Sequence, residues 1–193
     1  MSKDVEEIAS AYESWFGPPV TVIRGRTGAE PPPIGVVHRV PVGKELDDPV
    51  ANVTLLGTLG ASSAGVVQGL ARELAFEVRG TLDEPAIRAN AEALADLAEV
   101  PLRTGRAFAV HDLLTNLSLP AFPGFDTALL VDWDPVDGFT FLPPFENIGL
   151  LRVLPLLPSE VAHIEGFADR GEGYLSLVNR GMDEVDPTRE PTL

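Results

Sequence analysis

Hydrophobic and polar positions follow two periods along this chain, and the changes of period mark its elements. In "RELAFEVRG" (72–80), Leu74, Phe76 and Val78 fall on one side and Glu73, Ala75, Glu77 and Arg79 on the other. Alternation of that kind predicts an antiparallel strand with one wet face. Apolar, β-branched runs at 20–24, 34–42, 51–60 and 127–133 predict further strands. Helical spacing places Val5, Ile8, Tyr12, Trp15 and Phe16 on one stripe, with Ser2 as cap and Gly17-Pro18-Pro19 as the stop. "DEPAIRANAEALADLAEV" predicts a central helix capped by Asp83, with Pro85 in its first turn and Ile87, Ala91, Leu94 and Leu97 buried.

Near the end, "LLRVLPLLPSEVAHIEGFADRG" (150–171) passes from strand period to helix period in one step. It predicts a last strand over 150–157, then a helix capped by Ser159 and starting near Glu160, with Val161, Ile164 and Phe167 inward. A shorter helix follows in "EGYLSLVNRGM", and the polar tail 183–193 reads as loosely held. Residues 101–125 mix short apolar runs with Pro and Gly and take no assignment. Strands grouped before and after one central helix predict a single α+β domain over 1–193: a mixed, mostly antiparallel sheet packed against several helices. Residues 1–50 carry the least distinctive pattern.

Composition supports a real core, with 45% hydrophobic residues and a mean hydropathy of +0.12 over 193 residues. Eighteen Gly and 18 Pro point to short elements and many turns. Against 14 Lys and Arg stand 29 Asp and Glu, a formal charge of −15. Such a surface repels nucleic-acid phosphates and anionic membranes, and attracts a basic protein. It also keeps a protein in solution without any partner. The absence of cysteine excludes disulfides, thiolate metal sites and cysteine nucleophiles. With no signal-like apolar stretch at the N-terminus and no run near the ~20 residues of a membrane span, the expected location is cytoplasmic.

Candidate chemistry is sparse. His38, His111 and His163 lie far apart, with no metal-binding spacing, so no metal or cofactor is expected. "GASSAG" (60–65) has one residue too many for a nucleophile elbow around Ser62 and reads as a mobile turn. "DWDPVDG" (132–138) is misphased for a calcium loop, which needs Gly at the sixth place and Glu at the twelfth. It reads either as a capped turn or as an acidic, aromatic recognition edge of Asp132, Trp133, Asp134 and Asp137. No catalytic residue is assigned.

Taken in order, "ALLVDW", "LLRVLPLLPSEVAHIEGFADRGEGYLSLVNRGM" and the closing "DPTR" resemble the suppressor of fused domain family. Pro155, Leu156, Pro158, Glu160, Gly171 and Leu177 stand at the places of that pattern, and "GTLGASSAG" with "RELAFEVRG" resembles its earlier pair of strands. The resemblance runs from Ala51 to the end. It implies a mixed α/β domain without known catalysis that acts by binding proteins. Animal members hold a transcription-factor peptide between two domains, whereas this chain has room for one. Single-domain bacterial members look like immunity proteins, which implies a protein partner, here a basic toxin covered by an acidic surface. The rival expectations are a regulator that binds a peptide by strand addition, and a hydrolase using a carboxylate or Ser62.

Overall fold

The computed structural model describes residues 6, 8–10, 13, 21–24, 34–39, 53–59, 61, 72–133 and 148–193. Among the described residues seven strands form one sheet: β1 (Thr21–Arg24), β2 (Ile34–Arg39), β3 (Val53–Leu59), β4 (Arg72–Arg79), β5 (Leu113–Thr115), β6 (Thr127–Asp132) and β7 (Gly149–Leu156). Their order is β1-β2-β3-β4-β7-β6-β5. Every pairing is antiparallel except β4 with β7, where Arg72 to Ala75 run parallel to Gly149 to Arg152. The fold is α+β with a mixed, mostly antiparallel sheet, as the pattern of elements predicted.

β7 enters the sheet between β4 and β6, and both its faces are covered. A strand buried on two sides needs a continuous apolar run rather than an alternating one, and "LLRVLPLL" supplies it. One face of the sheet packs on helix α1 (Glu84–Ala98), through Leu56, Leu74, Phe76, Leu130 and Val153 against Ile87, Ala91, Leu94 and Leu97. The Asp83 side chain accepts a hydrogen bond from the N–H of Ala86 at 2.9 Å, so the predicted cap is in place. Phe122 closes this core with edge-on contacts to Phe76 and Phe125. A short helix α2 (Val100–Thr104), β5 and several turns make up the stretch 101–125 that took no assignment.

The opposite face carries helices α3 (Pro158–Glu165) and α4 (Arg170–Asn179), which bury Ile164 and Leu177 against Leu129, Val131, Leu154 and Leu156. α3 is not capped by Ser159. It starts one residue before it, with Pro158 in the first turn, and Glu160 reaches back to the N–H of Leu157 at 2.9 Å. Ile164 is buried and Val161 partly so, but Phe167 lies past the end of α3 and is 37% exposed.

The wet face expected of β4 does not exist. Glu73 and Ala75 are fully buried, Glu77 is partly so, and the C-terminal segment lies over their neighbours. Arg79 pairs with Asp183, and its N–H donates to the carbonyl of Val185 at 2.7 Å. Arg152 joins Glu77 at 3.2 Å to Glu184 at 2.8 Å, and the Tyr174 hydroxyl donates to Glu184 at 2.7 Å. The tail read as loosely held is therefore a docked strap, tied down by charged hydrogen bonds. Of the N-terminal helix, residues 6, 8–10 and 13 are helical and Ile8 is buried; Ser2, Val5, Tyr12, Trp15 and Phe16 lie outside the described residues. Of 60–65, only Ala61 is described, so Ser62 and the expected turn lie outside as well.

Candidate functional site

Asp132 ends β6, and its side chain is 69% exposed. Its Oδ1 accepts from Arg72 Nη1 at 3.0 Å across the intervening strand β7. Gly149 permits that reach, because any Cβ there would collide with the Arg72 guanidinium. Trp133 follows with its N–H donating to the carbonyl of Leu150 at 3.0 Å, and it is half-buried. Asp134 and Asp137 lie outside the described residues.

Two residues back along β6, Leu130 exchanges main-chain hydrogen bonds with His111 and Asp112, at 2.7 and 2.9 Å. His111 stands at φ +67°, a left-handed conformation that costs a non-glycine residue about 1–2 kcal/mol. Its turn forms one wall of an open groove of about 610 Å³; the other wall is the turn between α3 and α4. Glu165, Phe167, Asp169 and Arg170 project from that second wall. His111 Nδ1 is 3.8 Å from Asp169 Oδ1, and the same oxygen caps α4 by accepting from the N–H of Gly171 at 2.7 Å. Arg170 Nη1 donates to the carbonyl of His111 at 3.4 Å, while Asp112 accepts from Arg106 at 2.9 Å and from the N–H of Ala109 at 3.0 Å. The exposed large hydrophobic residues of the described chain, apart from Leu193, all lie on α4 or in the turn before it: Phe167, Leu175 and Val178.

The other histidines play quieter parts. His163 on α3 meets Ser176 Oγ at 3.2 Å and leans on the Phe167 ring, and His38 lies within β2. Among the described residues no group of three or more His, Asp or Glu converges as metal ligands would. Burial raises the carboxyl of Glu77 above its ordinary value against the opposing pull of Arg152, and Glu184 adds to the rise. That group lies under the strap rather than in the groove. Burial, then the hydrogen bond to Glu184, pushes the Tyr174 phenol up as well.

Four of the described arginines are committed inward, while Arg88, Arg103, Arg106, Arg170 and Arg180 are exposed. The side chains of Arg72, Arg79, Arg152 and Arg189 are 4–27% exposed and each is bound to a carboxylate. Asp126, Glu165, Asp169, Glu172 and Glu190 remain exposed. No helix among the described residues is long and apolar enough to cross a membrane.

The sequence matches no protein-family model and no curated protein. Solved structures do match. A suppressor of fused homologue from Neisseria gonorrhoeae superposes with a TM-score of 0.68 at 14% identity, over 100% of this chain and 98% of that one. A chain of the Sufu–Fu complex gives 0.66 at 15% identity, over 97% of this chain and 89% of that one. Drosophila Suppressor of Fused gives 0.63 at 15% identity, over 97% of this chain and 50% of that one. The chain has the suppressor of fused fold, as the C-terminal motifs implied.

Proposed function

We propose that this chain is a non-catalytic, cytoplasmic protein-binding domain of the immunity type, which neutralises a basic toxin by covering its active surface. One observation carries the reading: 29 acids stand against 14 basic residues, and because the inward ion pairs withdraw both signs together, the excess of acid is left to the surface. Such a surface speeds encounter with a basic partner and blocks a cationic groove once seated. The likeness to a chain of the Sufu–Fu complex supports a role in protein association. Asp132 and Trp133, with Asp134 and Asp137 beyond them, form the recognition edge in this reading.

The test is affinity capture with the intact chain at low and moderate salt, followed by an activity assay of whatever is retained. A basic protein that is released as salt rises, and whose activity the chain inhibits, is the expected result. Partners that are acidic, or basic partners left fully active, would overturn it.

A second reading has its own support. β5 is a short strand at the end of the sheet, and a groove of about 460 Å³ beside it is lined by Ala93, Leu97, Val100, Leu117 and Leu119. A peptide could add to that edge by main-chain hydrogen bonds. Its binding would barely respond to salt, which separates the two readings.

A further inference from the structure

We infer that the groove between the His111 turn and the α3–α4 turn receives a cationic side chain, an arginine or lysine presented by the protein partner; the identity of that partner as a basic protein rests on the reading above. Four features of the groove lead there. Glu165 makes no hydrogen bond or ion pair among the described residues, and it is exposed at the end of α3. Asp169, four residues on, uses Oδ1 to cap α4, which leaves Oδ2 as a second acceptor on the same wall. Phe167 lies between them in the chain, lines the groove and is 37% exposed, an aromatic surface against which a guanidinium or ammonium can lie. Neither local arginine is paired with these two carboxylates: Arg170 lines the groove but donates to the His111 carbonyl, and Arg106 pairs with Asp112.

The same features disfavour other occupants. Three carboxylates, Asp112, Glu165 and Asp169, line the groove against the one guanidinium of Arg170, which disfavours an anion, and a second copy of this chain would bring −15 against −15. A divalent ion would need a third converging ligand, and among the described residues no such group forms. The volume of about 610 Å³ is more than one side chain fills, so a partner loop can enter with its neighbours around the cation.

The probe is Ac-Gly-Arg-Gly-amide, titrated into the isotope-labelled full chain and followed by amide NMR, with the citrulline peptide as its uncharged counterpart. Saturable shifts are expected at His111, Gly166, Phe167, Asp169 and Gly171. Binding should weaken about three- to fivefold for citrulline, and by a similar factor in Glu165→Gln, as an exposed ion pair with a cation–π contact allows. Equal binding of both peptides, shifts elsewhere on the surface, or an unchanged affinity in Glu165→Gln would overturn the assignment. Capture experiments separate this from the broader reading. If the wild-type chain and Glu165→Gln retain the same basic protein with equal affinity, the groove is wrong and the basic partner stands. If neither retains one, the partner reading fails while the titration still decides the groove.

Discussion

Arg189 grips Glu160 with both arms of its guanidinium, Nε to Oε1 at 3.3 Å and Nη2 to Oε2 at 2.9 Å, in a pair whose side chains are 4% and 0% exposed. Nη2 also donates to the carbonyl of Pro155 at 2.7 Å, and the guanidinium carbon sits 4.8 Å from the centre of the Phe125 ring. Beyond Arg152, β7 has no register with β4, so the strap supplies a partner where a neighbouring strand does not. Glu160 is further held by the N–H groups of Leu157 and Thr192. A single clasp thus joins the end of the last strand, the start of α3 and the C-terminus.

Breaking that clasp from either side leaves a buried charge without its partner, which costs about 3–5 kcal/mol. Both Glu160→Ala and Arg189→Ala should lower the urea midpoint by a corresponding amount, with Glu160→Ala the worse because it also removes the bond to Leu157. An effect under about 1 kcal/mol, the range of an exposed pair, would show that the strap is not docked in solution.

The strands other than β5, and α1, were legible because each element carries its own period, and the C-terminal junction because an apolar run met a Pro and Glu helix start. The polar side of β4 was misread for a physical reason. Arg79 finds Asp183 at a separation of 104 residues and Arg152 finds Glu184 at 32, and no local pattern marks such partners. A face rich in charge looks wet until the segment that neutralises it is known. Likewise the groove left no local mark: Arg170 meets the His111 carbonyl across 59 residues. The αL turn at His111 left little signal, since His adopts that conformation more often than most side chains but far less readily than Gly.

Glu77 makes stability depend on pH in a defined sense. Its folded-state pKa lies above the ordinary 4.5, so between those two values the folded state binds more protons than the unfolded one. Stability contributed by this group is therefore highest in acid and falls as pH rises from about 4.5 through the folded value. Glu77→Gln should gain stability relative to the wild type across that window, since Arg152 keeps Glu184. Urea unfolding of both proteins from pH 4.5 to 7.5 checks it, and a difference that is flat or shrinks with rising pH would contradict the shift.

Asp186 has the opposite sign. The N–H and then the hydroxyl of Thr188 hydrogen-bond its carboxylate and hold its pKa below the ordinary 3.8. Its contribution is present above that value and fades as pH falls through the lower folded one. Thr188→Val should return the Asp186 carboxyl resonance in an NMR titration towards its ordinary midpoint; an unmoved midpoint would leave the main-chain bond as the whole cause.

The α3–α4 packing depends on a missing side chain. A Cβ at Gly173 would lie 2.8 Å from Ile164 Cα and 3.1 Å from its carbonyl oxygen, and backbone cannot step aside as a flexible side chain can. Gly173→Ala should therefore cost about 1–3 kcal/mol despite its better helix propensity, whereas Glu172→Ala on the exposed side should stay within about 0.5 kcal/mol. Equal urea midpoints for the two variants would place the helices further apart than described.

Gly171 offers a sharper test, because what it accommodates is one ring. Any Cβ there would collide with the His111 imidazole, and that ring stands on a left-handed backbone whose main-chain bonds to Leu130 restrict retreat. Gly171→Ala should thus destabilise the fold by about 1–3 kcal/mol. His111→Ala empties the space, so in its background the same Gly171→Ala change should be neutral or slightly favourable, as expected for alanine in a helix. A double-mutant cycle by urea unfolding reads the coupling directly, and its expected value is most of the single-mutant cost. Additive effects would mean that His111 turns away from α4 in solution. The groove would then lose the wall that the imidazole provides, and Gly171→Ala would alter neither its shape nor its affinity for the arginine peptide.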